Sequence, residues 1–398
     1  MSEQGSRSAD VVVVGAGVMG SATAYYLAGR GLRVVLLEQG RVGGVPSASG
    51  ASGSMMQALS GEGLPVEQLG QDSRTVISEL ARELYDLTGT DIGLTQPGTI
   101  VLAFSEADVQ QIRARRVTSY QRLDEPHEWL SAEDVRRLEP GVAGDVIAGL
   151  YLPQSHNVYA PQYVKALAHG AAARGADLRE GVAVFGLQWS GDRVTAVETA
   201  DGLIGCEALV LATGAWTGLT SRWLDRPLPV GPQRGQIMAL QSRPPDPRVR
   251  HILHGHGGYV IPKANGTSVV GATHDMVGFD ARVTAAGLNW LTDVGVRMAP
   301  HLAGATFKHA WCGFRPIMED GGRPVVGRLP GYRNAYVASG HGAIGVTVSP
   351  ATGRLLAALI TGEQAGAERL APFDPARYNG RGEVMSRQGG QTGVSGRP

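Results

Sequence analysis

Residues 11–20 read VVVVGAGVMG, and the chain continues as AYYLAGRGLRVVLLE at 24–38. Four consecutive β-branched valines describe a strand buried on both faces. Gly15, Gly17 and Gly20 then take the GxGxxG spacing of a strand-to-helix turn, with Val18 and Met19 opening a helix that runs to about residue 30. The three glycines serve different ends. Gly15 makes the tight turn, Gly17 lets a pyrophosphate approach, and Gly20 lets the helix pack on the sheet. The free N–H groups of the helix start face the phosphates. A second strand at 33–37 ends in Glu38, whose carboxylate is placed to accept from ribose hydroxyls. An acid there disfavours a 2′-phosphate, so FAD or NAD is expected over NADP.

The 398 residues suffice for two intertwined domains. The 57 glycines lie among apolar runs and imply tight turns and close backbone approaches. Lys plus Arg and Asp plus Glu both number 36, which gives no bulk field for nucleic acid or an anionic membrane. Cys206 and Cys312 are the sole cysteines, excluding a disulfide framework and a cysteine-rich metal site, and fitting a reducing cytoplasm; no metal is expected. The leader SEQGSRSAD lacks a signal-type apolar stretch, and no run reaches the roughly 18–20 apolar residues of a membrane span. The expectation is a soluble cytoplasmic protein with a flexible tail at 379–398.

After Glu38 and Gln39 comes the small-residue loop GRVGGVPSASGASGSMM, in which Ser47, Ser49 and Ser52 could offer hydroxyls to a cofactor, or which is a linker. Apolar spacing predicts a helix over 73–88, a strand over 95–104, a charged helix over 106–123 and a short helix capped by Ser131. Residues 163–174 read as helix, 193–207 as a hairpin, and ALVLAT as a separate buried strand ending at Gly214. Beyond residue 227 short strands dominate, two of them joined by the turn at Asn265-Gly266, and a last helix is expected at 351–360.

The ordered strings VVVVGAGVMG, ALVLATGAWT (208–217), GGYVIPKANGTSVVGATHD (257–275), WCGFRPIMEDGGRPVVG (311–327) and GHGAIGVTVSPATG (340–353) resemble the D-amino acid oxidase superfamily of FAD enzymes over about 10–362, in particular its glycine oxidase and monomeric sarcosine oxidase branches. The resemblance implies an α/β chain with a Rossmann-like FAD-binding domain of glutathione-reductase type and an interleaved α+β substrate domain on a mostly antiparallel sheet. The first would comprise 1–90, 151–225 and 311–378; the second, 91–150 and 226–310. It also implies that Gly340, His341, Gly342, Gly345, Val346 and Thr347 lie against the flavin, where backbone donors and a helix dipole would stabilise the negative charge of the reduced ring. Val182, Ala212, Gly214, Trp216 and Gly313 join the cofactor contacts by the same resemblance.

Arg315 in GFRP matches the carboxylate-binding arginine of the glycine oxidase branch, a role suited to a planar guanidinium; the alternative is a structural ion pair. Tyr259 matches an active-site tyrosine of that branch, against the alternative of an ordinary sheet residue. His274 aligns with an active-site histidine of the sarcosine branch, with a structural role equally open. The nearby oxygen-activating lysine of that branch is replaced by Val270; Lys263 and His341 could substitute as cations, but the sequence does not place them. Cys312 falls where the sarcosine branch carries a covalent flavin thioether, whereas the surrounding GFRP belongs to the branch with noncovalent flavin, and a buried cysteine is also an ordinary core residue.

The function implied is oxidation of the C–N bond of an amino acid or of a primary, secondary or cyclic amine to an imine, by hydride transfer to flavin N5. Oxygen would then reoxidise the flavin to give hydrogen peroxide. Alternatives are a dehydrogenase using a quinone or protein acceptor, a biosynthetic amine oxidase with an unusual substrate, a noncatalytic FAD-binding subunit, and an NAD-dependent dehydrogenase. The expected partner is a small molecule, and the sequence does not specify the oligomeric state.

Overall fold

The computed structural model describes residues 8–378. The valine run forms the strand Ala9–Val14, central in a sheet whose order is Val325–Arg328, Ala335–Ser339, Gly202–Leu211, Ala9–Val14, Val34–Glu38 and Asp177–Glu180. All neighbours are parallel except the first pair. Val11 and Val13 enter a core shared with the helices Val18–Ala28, Leu64–Thr88, Ala160–Ala173 and Gly345–Ile360. Val12 and Val14 face the opposite layer, where Leu187, Val194 and Val197 of the hairpin Val184–Ser190 and Arg193–Thr199 cover them. Val11, Val12 and Val13 are 0 % exposed, so each contributes about 1.5–3 kcal/mol of burial.

The second sheet has the order Thr306–Met318, Val230–Gln241, Thr267–Gly271, Gly258–Pro262, Ile252–Gly255, Thr99–Ala103, Ala148–Leu152 and Glu128–Ser131. One pair, Ile252–Gly255 with Thr99–Ala103, is parallel and the rest antiparallel. Val260 and Val270 pack with Leu291, Val294 and Met298 of the helix Ala285–Met298, while Ile237, Ile261 and Val269 lie on the other face with Tyr259. Among the described residues no helix is long and apolar enough to cross a membrane.

Several elements depart from the reading by periodicity. The expected hairpin strand and buried strand are one element, Gly202–Leu211, whose first half pairs antiparallel with Arg193–Thr199 and whose second half pairs parallel with Ala9–Val14. The last helix starts at Gly345, not 351, because Pro350 is tolerated: Ser349 Oγ donates to the Val346 carbonyl that a residue-350 N–H would serve, and Ser73 Oγ accepts from Ala351 N. The helix expected from residue 73 starts at Leu64, its first turns hidden from the pattern by a buried Glu67 that pairs with Arg122. The strand expected from residue 95 begins at Thr99, after Gly98 at φ 71°. The charged helix splits into Glu106–Ile112, a π-helical turn Arg113–Val117 and Thr118–Arg122. Ala285–Met298 was not expected, since its Gly287 and Gly295 dilute the apolar period; they let the helix approach Gln236 and Val270. The tail assigned to 379–398 lies outside the described residues.

Candidate active site and cofactor cleft

A cleft of about 1100 Å³ runs from the glycine turn to the second sheet, above the 300–1,000 Å³ usual for a single small ligand. At its nucleotide end Gly15 has φ 97°, and a Cβ there would lie 2.5 Å from the Ala212 carbonyl oxygen, so only glycine serves. Glu38 reaches the cleft with Oε2 accepting from Ala16 N at 2.9 Å and Oε1 from Gly40 N at 2.9 Å. Ser49 Oγ accepts from Val18 N at 2.9 Å and ties the small-residue loop to the start of the fingerprint helix.

The other serines serve the loop itself. Ser47 Oγ donates to Gly44 O and accepts from Gly50 N, and Ser52 Oγ accepts from Ser54 N. The loop is therefore an ordered wall of the cleft, not a linker; Ser47 Oγ is engaged as donor and acceptor, while Ser49 Oγ and Ser52 Oγ act only as acceptors. Gly17, Met19, Gln39, Val182, Gly214, Trp216, Gly313, Gly342, Gly345, Val346 and Thr347 also border the cleft. Gly20, Gly340 and Cys312 do not. A Cβ on Gly20 would lie 1.9 Å from Gly15 O, and one on Gly340 would lie 2.3 Å from Met318 Sδ, so both are packing positions. Cys312 Sγ turns away and donates to Ala281 O at 3.0 Å, with burial raising its pKa.

His341 borders the cleft with both ring nitrogens buried and unpartnered, and burial pushes its pKa down to about 3. Burial thus favours the neutral imidazole, which weighs against His341 as a substitute cation. These features fit FAD. The glycine turn and helix Val18–Ala28 would hold the pyrophosphate, Glu38 the ribose, and the wall from His341 to Thr347, where the helix Gly345–Ile360 begins, the flavin.

Tyr259 is paired across strands with His254 on one side and Gly271 on the other. Its ring covers Gly271, where a Cβ would meet the phenol at 2.4 Å, and it borders the cleft. Burial raises the Tyr259 pKa and lowers that of Arg315, while each group's charge partly offsets the other's shift. Arg315 Nη1 donates to Thr273 O at 2.8 Å and Gln233 Oε1 at 3.2 Å.

Among the described residues no carboxylate lies within 4 Å of the Arg315 guanidinium. Asp275 instead takes Arg234 at 3.0 Å, together with Gln236 and Thr273. Arg234 is thus the structural ion pair of this wall, and Arg315 is the cation with coordination to spare. His274 lies exposed at the mouth, its Nδ1 3.0 Å from Gln233 Oε1 and its pKa lowered chiefly by burial.

Two further expectations change. Val270 faces the core beneath helix Ala285–Met298, so a lysine there would not reach the cleft. Lys263 is not on the cleft wall; its Nζ donates to Gly53 O, Asn157 Oδ1 and Val158 O at 2.8–3.0 Å, and burial pushes its pKa down to about 7. Sequence reasoning missed Gln57, His254, His256, Arg115 and Arg116 on the wall. The string HGHGG at 254–258 and the helical spacing 108, 111, 112, 115, 116 were the available signals.

The family model described as FAD dependent oxidoreductase, DAO, matches residues 10–359. A curated glycine oxidase of Geobacillus kaustophilus is 35% identical over 94% of this chain and 98% of its own length. The crystal structure of glycine oxidase from Bacillus cereus superposes with a TM-score of 0.85 at 29% identity, covering 91% of this chain and 97% of that one. Iminodiacetate oxidase from Chelativorans sp. does so with 0.83 at 28% identity, covering 92% and 98%.

Proposed function

The chain belongs to the DAO family of FAD-dependent oxidoreductases, and on that premise we propose that it oxidises the C–N bond of a small amino acid or amine to an imine. FAD supplies the two-electron acceptor when bound. The observation that carries the reading is Arg315, a half-buried guanidinium inside the cleft with no carboxylate partner among the described residues, beside Tyr259. An arginine so placed presents two parallel donors to a substrate carboxylate. Tyr259 donates to the same group. Ile237, Ala272 and Phe314 exclude water around the Cα–N bond, and fixed orientation is the main contribution asked of the protein. Burial keeps His254, with a pKa of about 3, and His341 neutral, so the positive charge opposite the carboxylate is that of Arg315. His274 acts at the mouth, through Gln233, as a positioning residue.

Noncovalent flavin belongs to this reading, supported by the Cys312 thiol turning to Ala281 O, as do a cytoplasmic location and oxygen as acceptor yielding hydrogen peroxide. A dehydrogenase with a quinone or protein acceptor is the second reading. One observation favours it: among the described residues no lysine lines the cleft to supply the charge that promotes reaction with oxygen. The test is the visible spectrum during anaerobic addition of glycine, sarcosine, proline, pipecolate and D- and L-amino acids, followed by air. Bleaching of the yellow band by one class is expected, and colour return within seconds identifies an oxidase. A yellow protein that none of them bleaches contradicts the proposal.

A further inference from the structure

Gly235 and Gly313 are cross-strand partners within Val230–Gln241 and Thr306–Met318. Glycine weakens a strand interior and marks a place where another group comes close to the backbone. At Gly313 that group is the small-residue loop, since a Cβ there would collide with Ala51 Cβ and Ser47 O. At Gly235 it is Arg315. A Cβ on Gly235 would lie 2.6 Å from Cζ, 2.6 Å from Nη2 and 2.8 Å from Nη1 of Arg315, so the planar group lies face-on against the bare backbone. Arg315 is paired with Gln233, two residues before Gly235 and on the same face of the sheet, so its side chain runs along the neighbouring strand to reach this bed.

The guanidinium is also held at its edge. Nη1 donates to Thr273 O and Gln233 Oε1, which leaves the donors of Nε and Nη2 for a ligand. Thr273 is itself fixed on every polar atom. Its N–H donates to Gln236 O at 3.2 Å, and its Oγ1 accepts from Gln236 N at 3.0 Å while donating to Asp275 Oδ2 at 2.9 Å. The same Asp275 oxygen accepts from Gln236 Nε2 at 2.8 Å and from Arg234 Nε at 3.0 Å. Arg234, Gln236 and Thr273 are all buried. Exchanging a buried ion pair for apolar groups is often neutral for stability, so stability alone does not account for Arg234 and Asp275. Their connection runs without a break from Asp275 through Thr273 to Arg315.

We propose that Gly235 and Asp275 are positioning residues for Arg315: Gly235 supplies the bare backbone on which the guanidinium lies, and Asp275, through Thr273, fixes the carbonyl that holds Nη1. Nε and Nη2 then meet the substrate carboxylate in one orientation. This deepens the amine-oxidase reading above and rests on its assignment of Arg315. Both residues act through the arginine, so their effects vanish when the arginine is gone.

The test reads acetate binding from the absorbance of the bound flavin, together with KM and kcat for glycine or for the amino acid that best bleaches the flavin. The proteins are the wild type, G235A, D275N, R315L and the doubles G235A/R315L and D275N/R315L. Gly235→Ala sets its methyl against the far end of a flexible side chain, so fold and flavin content should hold while the guanidinium is pushed aside. Its acetate Kd and its KM should rise by about tenfold or more, with kcat changing less. Asp275→Asn should raise both by about threefold. Ethylamine, which has no carboxylate, should lose far less. In the R315L background neither substitution should weaken acetate binding further, whereas general structural damage would add to the loss. Thr273→Val, which removes the hydroxyl link and keeps the carbonyl, replaces Asp275→Asn if that variant does not retain flavin. Wild-type acetate affinity in G235A and D275N, or losses that add fully to that of R315L, overturn the inference and leave the amine-oxidase reading in place. Wild-type acetate affinity in R315L instead contradicts the carboxylate-holding role of Arg315, and the inference falls with it.

Discussion

The nucleotide end of the cleft is built from backbone and the substrate end from side chains, and the two ends differ in how they fail. At Gly15 and Gly20 the constraint is a carbonyl 2.5 or 1.9 Å from any added Cβ, with no flexible group to give way. At Arg315 and Tyr259 it is a charge and a hydroxyl at the ends of long side chains, positioned by strands distant in sequence. Changes at the first end should therefore cost fold and cofactor together, whereas changes at the second should cost catalysis with fold and cofactor intact.

The largest effect expected at the backbone end is from Gly20→Val, which should destabilise by about 3 kcal/mol or more and strip the yellow colour, read by urea unfolding and flavin content. Arg315→Leu should lower kcat/KM for an amino acid by roughly three orders of magnitude, about 4 kcal/mol, with flavin content unchanged. Loss of flavin in that variant would erase the distinction between the ends.

Lys263 joins the two regions by holding the loop carbonyl of Gly53. Lys263→Met leaves three acceptors without their donor and should cost about 2–3 kcal/mol in urea unfolding. The pH dependence has a definite sign. The folded pKa of about 7 lies below the ordinary 10.5, so between these values the unfolded chain binds the extra proton and stability rises with pH. The stability difference between wild type and Lys263→Met should therefore grow from pH 7 to pH 9.

Tyr259→Phe removes one hydrogen bond and should raise KM about fivefold, near 1 kcal/mol, with little change in kcat. The smallest effect belongs to Cys312→Ala. Its flavin content should match the wild type, and acid precipitation should release the flavin from both proteins.

The same contrast explains what could be read in advance. Val11–Val14, Gly15, Gly17, Gly20 and Glu38 lie within 28 residues and act through local backbone geometry, so their spacing alone describes the turn, the helix and the acid. Arg315 becomes interpretable only when Asp275, 40 positions away in sequence, is seen to be taken by Arg234. Ser47 illustrates the converse, a hydroxyl that looked available and is committed within its own loop as both donor and acceptor. The side of the sheet on which Val270 lies could not be read, because strand alternation fixes which residues share a side, but not which side meets the cleft. The π-turn with Arg115 and Arg116 gave no signal stronger than a charged surface helix.

The most direct test of Arg315 as the carboxylate-holding residue is anaerobic flavin reduction by two substrates, a carboxylate-bearing amino acid such as glycine and a carboxylate-free amine such as ethylamine, in the wild type and Arg315→Leu. The account predicts that the wild type is reduced far faster by the amino acid, that the variant loses this advantage by roughly a thousandfold, and that ethylamine is affected much less. An equal loss for both substrates, or an amino acid advantage that survives the substitution, would contradict it.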